Sequence, residues 1–342
     1  MPIKISFILP GYNVEKYLAE CTQSIQQQPV ENIEIIIVDD FSTDGTLEVA
    51  RVLAQQDRRI KIIRQAENRG SYAARNAGLA VAEGEWIVFI DPDDVLSPNY
   101  YARVQGLLSD MRCDLVVYNY AAFNDGCPYP QASAASSAQP RSKASLLGLK
   151  AFTWLKLIRR SFLKQTGIKF YEGKTMWDIL FHWQITLACE SPFYLDEKLV
   201  WYRQRPSASS YRVDWYRAEG FNVMDQLRAT LLAENKMAEY QDCFYQEELN
   251  LYCDIRGAFF LNQVLEKRAD EEIQKRITEA HWTLILNGVG LSQKKCDFLL
   301  TCCRPNSVRW SPRLILPAVR HYTYRWARVL KLKIGQQIRK RC

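Results

Sequence analysis

The sequence predicts an α/β fold: a mainly parallel, doubly wound sheet followed by a C-terminal helical extension. Three observations carry this. Over the first 120 residues, short β-branched runs alternate with helical stretches, the pattern of repeating βα units. Acidic and polar residues cluster just after those runs, where the carboxyl ends of parallel strands collect ligands. From Asp214 to about residue 300, Leu, Phe and Tyr recur at three- and four-residue spacing, the helical period.

The elements follow in order. Residues 3–9 form a short apolar strand that stops at Pro10-Gly11, a turn pair. Residues 14–27 follow as a helix. Residues 33–38 are β-branched except for Glu34, as expected of a strand buried on both faces, and end at Asp39-Asp40. Ser42 and Thr43 precede a helix over 45–56; such residues mark helix starts. Residues 60–64 make a third strand, 72–82 a helix, and 86–90 a fourth strand ending at Asp91. Ser97-Pro98 opens a helix to about Met111, and 115–120 is a fifth strand. Residues 124–145, rich in Ala, Ser, Pro and Gln, read as a flexible loop or insertion. Residues 151–212 are mixed, with a further strand over 194–202. The expected domains are 1–212, a helical extension over 213–303, and a basic tail over 304–342.

Composition narrows the class. With 342 residues, 48% hydrophobic and 24% charged, the chain is an ordinary globular protein able to bury a core without staples. That excludes a disordered chain, a collagen and a small disulfide scaffold. The ten cysteines form no Cys-x-x-Cys pair, and three histidines supply no zinc pattern. The first residues lack the features of a signal peptide. No apolar run reaches the ~18 residues of a membrane span. The expectation is a reducing, cytoplasmic setting with free thiols. Charge is uneven. Residues 304–342 hold eleven Lys and Arg and no Asp or Glu; against the chain total of +7, that leaves −4 for residues 1–303. Such a block wants an anionic surface.

The residues after each strand are the candidates for chemistry. They are Pro10, Gly11, Tyr12 and Asn13; Asp39 and Asp40; Asn68, Arg69 and Gly70; and Asp91, Pro92, Asp93 and Asp94. Carboxylates at 91 and 93 suit a hard cation such as Mg²⁺ or Mn²⁺, with a diphosphate completing its coordination. The same four residues also fit a turn and a helix start. No Gly-rich phosphate loop exists, so a dinucleotide enzyme or P-loop ATPase is disfavoured. A nucleotide's phosphates would then fall to a metal and basic side chains.

Four segments in this order and spacing resemble family 2 glycosyltransferases, which have the GT-A fold, a Rossmann-like sheet. They are the runs at 8–18 (ILPGYNVEKYL), 37–46 (IVDDFSTDGT), 67–78 (ENRGSYAARNAG) and 84–94 (GEWIVFIDPDD). The resemblance is specific over residues 1–120 and weaker to about 212. It implies an enzyme of bacterial surface polysaccharide synthesis (capsule, O-antigen or lipopolysaccharide). Pro10 and Tyr12 would frame the nucleobase, with Asn13 beside them. Asp40 would accept the uracil N3–H, and Asp39 would support the ribose. Asn68 and Arg75 would hold the nucleotide and its phosphates. Asp93 would bind the metal, Mn²⁺ or Mg²⁺. Asp91 would contact the ribose or sugar, or the metal through water, and Asp94 would fix the loop. The family's acidic base matches Asp178, although Trp177 replaces the usual preceding acid. Arg203 or Arg205, in a Tyr-Arg-x-Arg strand end, would cover the diphosphate.

Blander readings stand beside these. Tyr12 also fits packing on a helix, Arg75 a solvated helix face, and Asp178 a helix cap. His182 is expected in the core or on the surface, and Trp201, Tyr202, Trp215 and Tyr216 in packing.

The resemblance implies an inverting transfer from a nucleotide-diphospho-sugar, UDP-linked by the Asp40 position, to a saccharide or lipid-linked acceptor. The alternative is a catalytically silent nucleotide-sugar-binding protein in a glycan assembly complex. A nucleotidyltransferase is disfavoured because no Gly- and Arg/Lys-rich loop follows the first strand. A basic peripheral protein without catalysis also accounts for the tail. Residues 312–333 interleave apolar and aromatic residues with Arg and Lys, the composition of an interfacial helix. The tail is expected to dock the chain on the cytoplasmic face of the inner membrane. A solvated or packed basic helix is the plainer reading. Nucleic acid is not expected, since no nucleic-acid motif accompanies the charge.

Overall fold

The computed structural model describes residues 4–109, 113–131, 136–172, 176–205, 215–259 and 262–287. Three parallel strands anchor it: β1 (Ile5–Gly11), β2 (Ile33–Asp39) and β3 (Ile60–Arg64). β1 and β2 are buried at every position, as their β-branched runs predict. β4 (Trp86–Phe89) joins β1 on its other side, giving the parallel order β3-β2-β1-β4. Helices α1 (Leu18–Gln26), α2 (Thr46–Gln56) and α3 (Ser71–Val81) form the crossovers. Ile5, Phe7, Leu9, Ile35 and Ile37 pack with Leu18, Cys21 and Ile25 of α1 in the main core.

α3 lies on the opposite face. A Cβ at Gly78 would sit 2.4 Å from Ile8 Cγ2 and 3.3 Å from Val38 Cγ2, so glycine is what lets this helix approach the sheet.

Beyond β4 the sheet becomes mixed. The strands are β5 (Val95–Leu96), β6 (Leu115–Asn124), β7 (Gln139–Pro140), β8 (Lys156–Arg159) and β9 (Phe193–Gln204). The order continues β4-β8-β6-β9-β5, with β7 also on β9. β8 is antiparallel to β4 and β6, while β6 and β9 run parallel.

Several elements differ from expectation. α1 starts at Leu18, because residues 14–17 form a turn in which the Val14 amide donates to Thr46 Oγ1 at 2.8 Å. The helix expected after Ser97-Pro98 is the short α4 (Tyr100–Val104), followed by turns through Gly106. β6 runs four residues past the expected end because β9 is long enough to pair with it to Asn124. Within 124–145, expected as a loop, lie β7 and α5 (Lys143–Leu147), whose cap Ser142 accepts from the Ser145 amide at 3.3 Å. After β8 come α6 (Arg160–Thr166) and α7 (Asp178–Ala188).

The chain divides into two compact units. One takes residues 1–212 with 219–231, and the other residues 213–218 with 232–342. α8 (Glu219–Ala233) crosses that division; α9 (Met237–Ala258), α10 (Gln263–Arg276) and α11 (Glu279–Asn287) belong to the second unit. In that unit, buried Glu248 accepts from Tyr252 Oη at 2.6 Å and His281 Nε2 at 2.8 Å. Trp215 stacks on Phe259 with centroids 5.7 Å apart. Among the described residues, no helix is long and apolar enough to cross a membrane, and six cysteines are free. The tail over 304–342 lies outside the described residues.

Candidate active site

Because β2, β1 and β4 are adjacent and parallel, their carboxyl ends bring the loops after Leu9, Val38 and Ile90 to one edge. Tyr12 stands 47% exposed there, not packed on a helix. Asn13 has a left-handed φ of 53° and joins two loops: its amide donates to Ser42 Oγ at 3.0 Å, and its Oδ1 accepts from the Thr43 amide at 2.8 Å. Asp39 is fully buried, with Oδ1 accepting from the Ser42 amide at 3.1 Å and Arg64 Nε 3.6 Å from Oδ2. Its carboxylate therefore holds the turn after β2.

Asp40 faces the next loop. It accepts from Gln65 Nε2 at 2.6 Å, the Arg69 amide at 2.8 Å and the Gly70 amide at 2.7 Å. Gly70 makes this possible with φ 86°, the conformation glycine tolerates, just before α3. Asn68 Nδ2 donates to Asp40 O at 3.2 Å, so these two expected ligands meet where the loops after β2 and β3 touch. Burial pushes the Asp40 carboxyl above its ordinary value despite the donated amides, and Asp39 adds to the push.

The acidic segment after β4 meets two arginines. Arg75, on α3, is buried: Nη2 donates to Asp91 Oδ1 at 2.7 Å, and Nη1 lies 3.5 Å from Asp178 Oδ1. One guanidinium thus bridges the acidic segment and α7, which rules out a solvated helix face for Arg75. Burial opposes the Arg75 charge, but Asp91, Asp178 and Tyr72 outweigh it and raise its pKa. Burial raises Asp91, Arg75 opposes that, and the Asp93 and Asp178 charges add to it.

Arg205 Nε donates to Asp93 Oδ2 at 2.8 Å. Arg203 serves another purpose. Its Nε donates to Asp93 O at 2.8 Å, Nη1 to Asp125 Oδ1 at 2.7 Å and Nη2 to Glu20 Oε2 at 2.5 Å. It is a buried tie between the acidic loop, α1 and the end of β6. The Asp94 Oδ1 accepts from the Arg203 amide at 2.8 Å, which fixes the loop as expected of that residue. Asp94 Oδ2 is buried without a partner; burial, then Asp93 and Asp91, push this carboxyl well up.

Asp178 is the first residue of α7. The cap position belongs to Trp177, and Asp178 makes no cap bond. Instead Thr153 Oγ1 donates to Oδ1, and Tyr72 Oη donates to Oδ2 at 3.3 Å. Trp177 is buried and stacks on exposed Tyr171 with centroids 4.0 Å apart. His182, one turn on, is in the core and donates from Nε2 to Leu146 O at 3.1 Å. Trp201 stacks on Tyr129, and Tyr202 on Trp154, as packing residues do.

Tyr72, Thr153 and Lys156 were not legible as site residues. Nothing in their sequence spacing points to Asp178; α3 delivers Tyr72, and the turn before β8 and β8 itself carry Thr153 and Lys156. Among the described residues, no three His, Cys, Asp or Glu side chains converge as a metal centre. The chemistry of the acidic loop still fits a hard cation, because its donors are all carboxylate oxygens and one buried oxygen of Asp94 lacks a partner.

The family model for glycosyl transferase family 2 matches residues 6–169. The putative glycosyltransferase EpsH of Bacillus subtilis is 33% identical over 248 residues, 69% of this chain and 72% of that protein. Among solved structures, Staphylococcus aureus TarS in complex with UDP-GlcNAc superposes with a TM-score of 0.61 at 22% identity, covering 87% of this chain and 90% of that one. The mannosyltransferase PcManGT from Pyrobaculum calidifontis, in complex with GDP-Man and Mn²⁺, gives 0.54 at 17% identity over 93% and 87% of the two chains. The fold is GT-A.

Proposed function

The chain belongs to glycosyltransferase family 2, and from that premise we propose an inverting transfer of a sugar from a UDP-sugar to a hydroxyl of a saccharide or lipid-linked acceptor. The setting is bacterial surface-glycan synthesis on the cytoplasmic face of the inner membrane. The observation that carries the proposal is the Arg75 bridge between Asp91 and Asp178. It puts the acidic loop of the donor side and a candidate base within one guanidinium of each other.

Asp40 supports the choice of uracil. A carboxylate has about four acceptor positions, and three are taken by Gln65, Arg69 and Gly70. The remaining one accepts N3–H. Tyr12, exposed beside Pro10, stacks on the base, and Asn68 stands against Asp40 from the loop after β3. The Asp91 and Asp93 carboxylates would hold Mg²⁺ or Mn²⁺. Bound there, the ion supplies charge stabilisation to the departing diphosphate. Arg205, freed from Asp93, has the donors to take up a phosphate oxygen.

In the reaction, the acceptor oxygen attacks C1 as the C1–O bond to the diphosphate breaks. Asp178 takes the hydroxyl proton. Thr153, Tyr72 and Arg75 fix the orientation of its carboxylate. One displacement inverts C1, and no covalent sugar intermediate is formed.

The test is nucleotide release from a panel of nucleotide sugars with Mn²⁺, Mg²⁺ or EDTA, comparing wild type with Asp93→Ala. Metal-dependent release of UDP, lost in the variant, supports the reading. Donor binding without turnover on any acceptor would favour the silent binding protein instead.

A further inference from the structure

We propose that Lys156 is a positioning residue for Asp178, acting through the turn that carries Thr153; the inference rests on the proposed role of Asp178. Lys156 opens β8 directly after the 3₁₀ turn Thr153–Leu155 and is fully buried. Its ammonium turns back along the chain. Nζ donates to Ala151 O at 3.1 Å and to Phe152 O at 2.6 Å. Those carbonyls immediately precede Thr153, whose hydroxyl donates to Asp178. One buried amine, a donor in either protonation state, therefore fixes the backbone that aims one hydroxyl at one carboxylate.

The surrounding charges act on this amine from several elements. From α7, Asp178 favours the ammonium and His182 faces it; from α3, Arg75 opposes it. The β6 residue Tyr118 donates to the backbone carbonyl of Lys156 at 3.4 Å. His182 donates through Nε2 to a carbonyl, so its Nδ1 carries a lone pair, and burial with the Lys156 charge keeps the ring neutral. The Asp178 charge thus favours the protonated amine, while Arg75 is the direct ion-pair partner of Asp178. Burial lowers the amine to about 7, a cost that a methionine of similar length would not carry. A role confined to packing would not need the two donated hydrogen bonds.

The experiment uses the full chain. Lys156→Met, Thr153→Val and the double variant are compared for kcat of sugar transfer and for UDP affinity by calorimetry with Mn²⁺. Each single change is expected to lower kcat on the order of tenfold to a hundredfold, with UDP affinity within about twofold. The double variant is expected to be no slower than the slower single, because both remove one link. Should Lys156→Met not fold, Lys156→Leu, which also removes the donor, is read the same way. A folded Lys156 variant with wild-type kcat overturns the proposal. So does UDP affinity falling in step with kcat, or rate losses that multiply in the double variant. An inactive wild type overturns the Asp178 reading as well. Active wild type and inactive Asp178→Asn, with unaffected Lys156 variants, overturn the positioning role alone.

Discussion

Asp40 and Lys156 are both buried ionisable groups, and burial pushes each toward its neutral form. For Asp40 the effect is read in binding. Its carboxyl is raised, and the ionised form accepts a uracil N3–H more strongly than the protonated one. UDP affinity is therefore expected to weaken as pH falls into the acid range, with a midpoint above the ordinary Asp value. Asp40→Asn should remove that pH dependence, as calorimetry across pH would show. For Lys156 the effect is read in stability. Its folded value of about 7 lies below the ordinary 10.5, so between them the unfolded chain binds the extra proton. Stability contributed at this position rises with pH across that window, by at most about 1.4 kcal/mol per pH unit. Thermal midpoints at pH 6.5 and 8.5 should shift in favour of wild type relative to Lys156→Met as pH rises. Asp39, Asp40, Asn68, Asp91 and Asp93 were legible as candidates because strand ends place them. Arg75 was ambiguous because a helix residue's face is settled only by what packs on it. Thr153 and Tyr72 were not legible, since Asp178 meets them across 25 and 106 residues of chain, and Lys156 was not because it acts through Thr153.

At the level of elements, α3 does the most to place the site. It starts at Gly70, which points its amide at Asp40, and carries Tyr72 and Arg75 to Asp178. It lies against β1 and β2 through Gly78. Gly78→Ala forces an overpacked contact with Ile8 and is expected to destabilise the chain by about 1–3 kcal/mol. Urea unfolding measures this, and an unchanged midpoint would contradict the close packing. The strands and helices up to β4 were readable because each is a local period ended by its own turn residues. β7, β8 and α5 were not. Gln139–Pro140 becomes a strand only by pairing with β9, and Lys156–Arg159 only by fitting between β4 and β6. Such pairing is long-range and leaves no local pattern.

At the scale of the whole molecule, the GT-A unit and the charge distribution make separate claims. The basic segment over 304–342 is proposed to hold the enzyme at an anionic membrane beside its acceptor. Each basic residue near such a surface contributes about 1 kcal/mol. Removing 304–342 is expected to abolish sedimentation with phosphatidylglycerol vesicles and to leave UDP affinity unchanged. Full-length chain should lose vesicle binding as salt rises. Equal sedimentation of both forms would sink the docking claim without touching catalysis. Catalysis is tested most directly by Asp178→Asn, assayed beside wild type for sugar transfer with Mn²⁺, with UDP binding titrated on the same samples. The account predicts retained UDP affinity and a loss of transfer on the order of a hundredfold or more. Transfer at the wild-type rate by Asp178→Asn would contradict it.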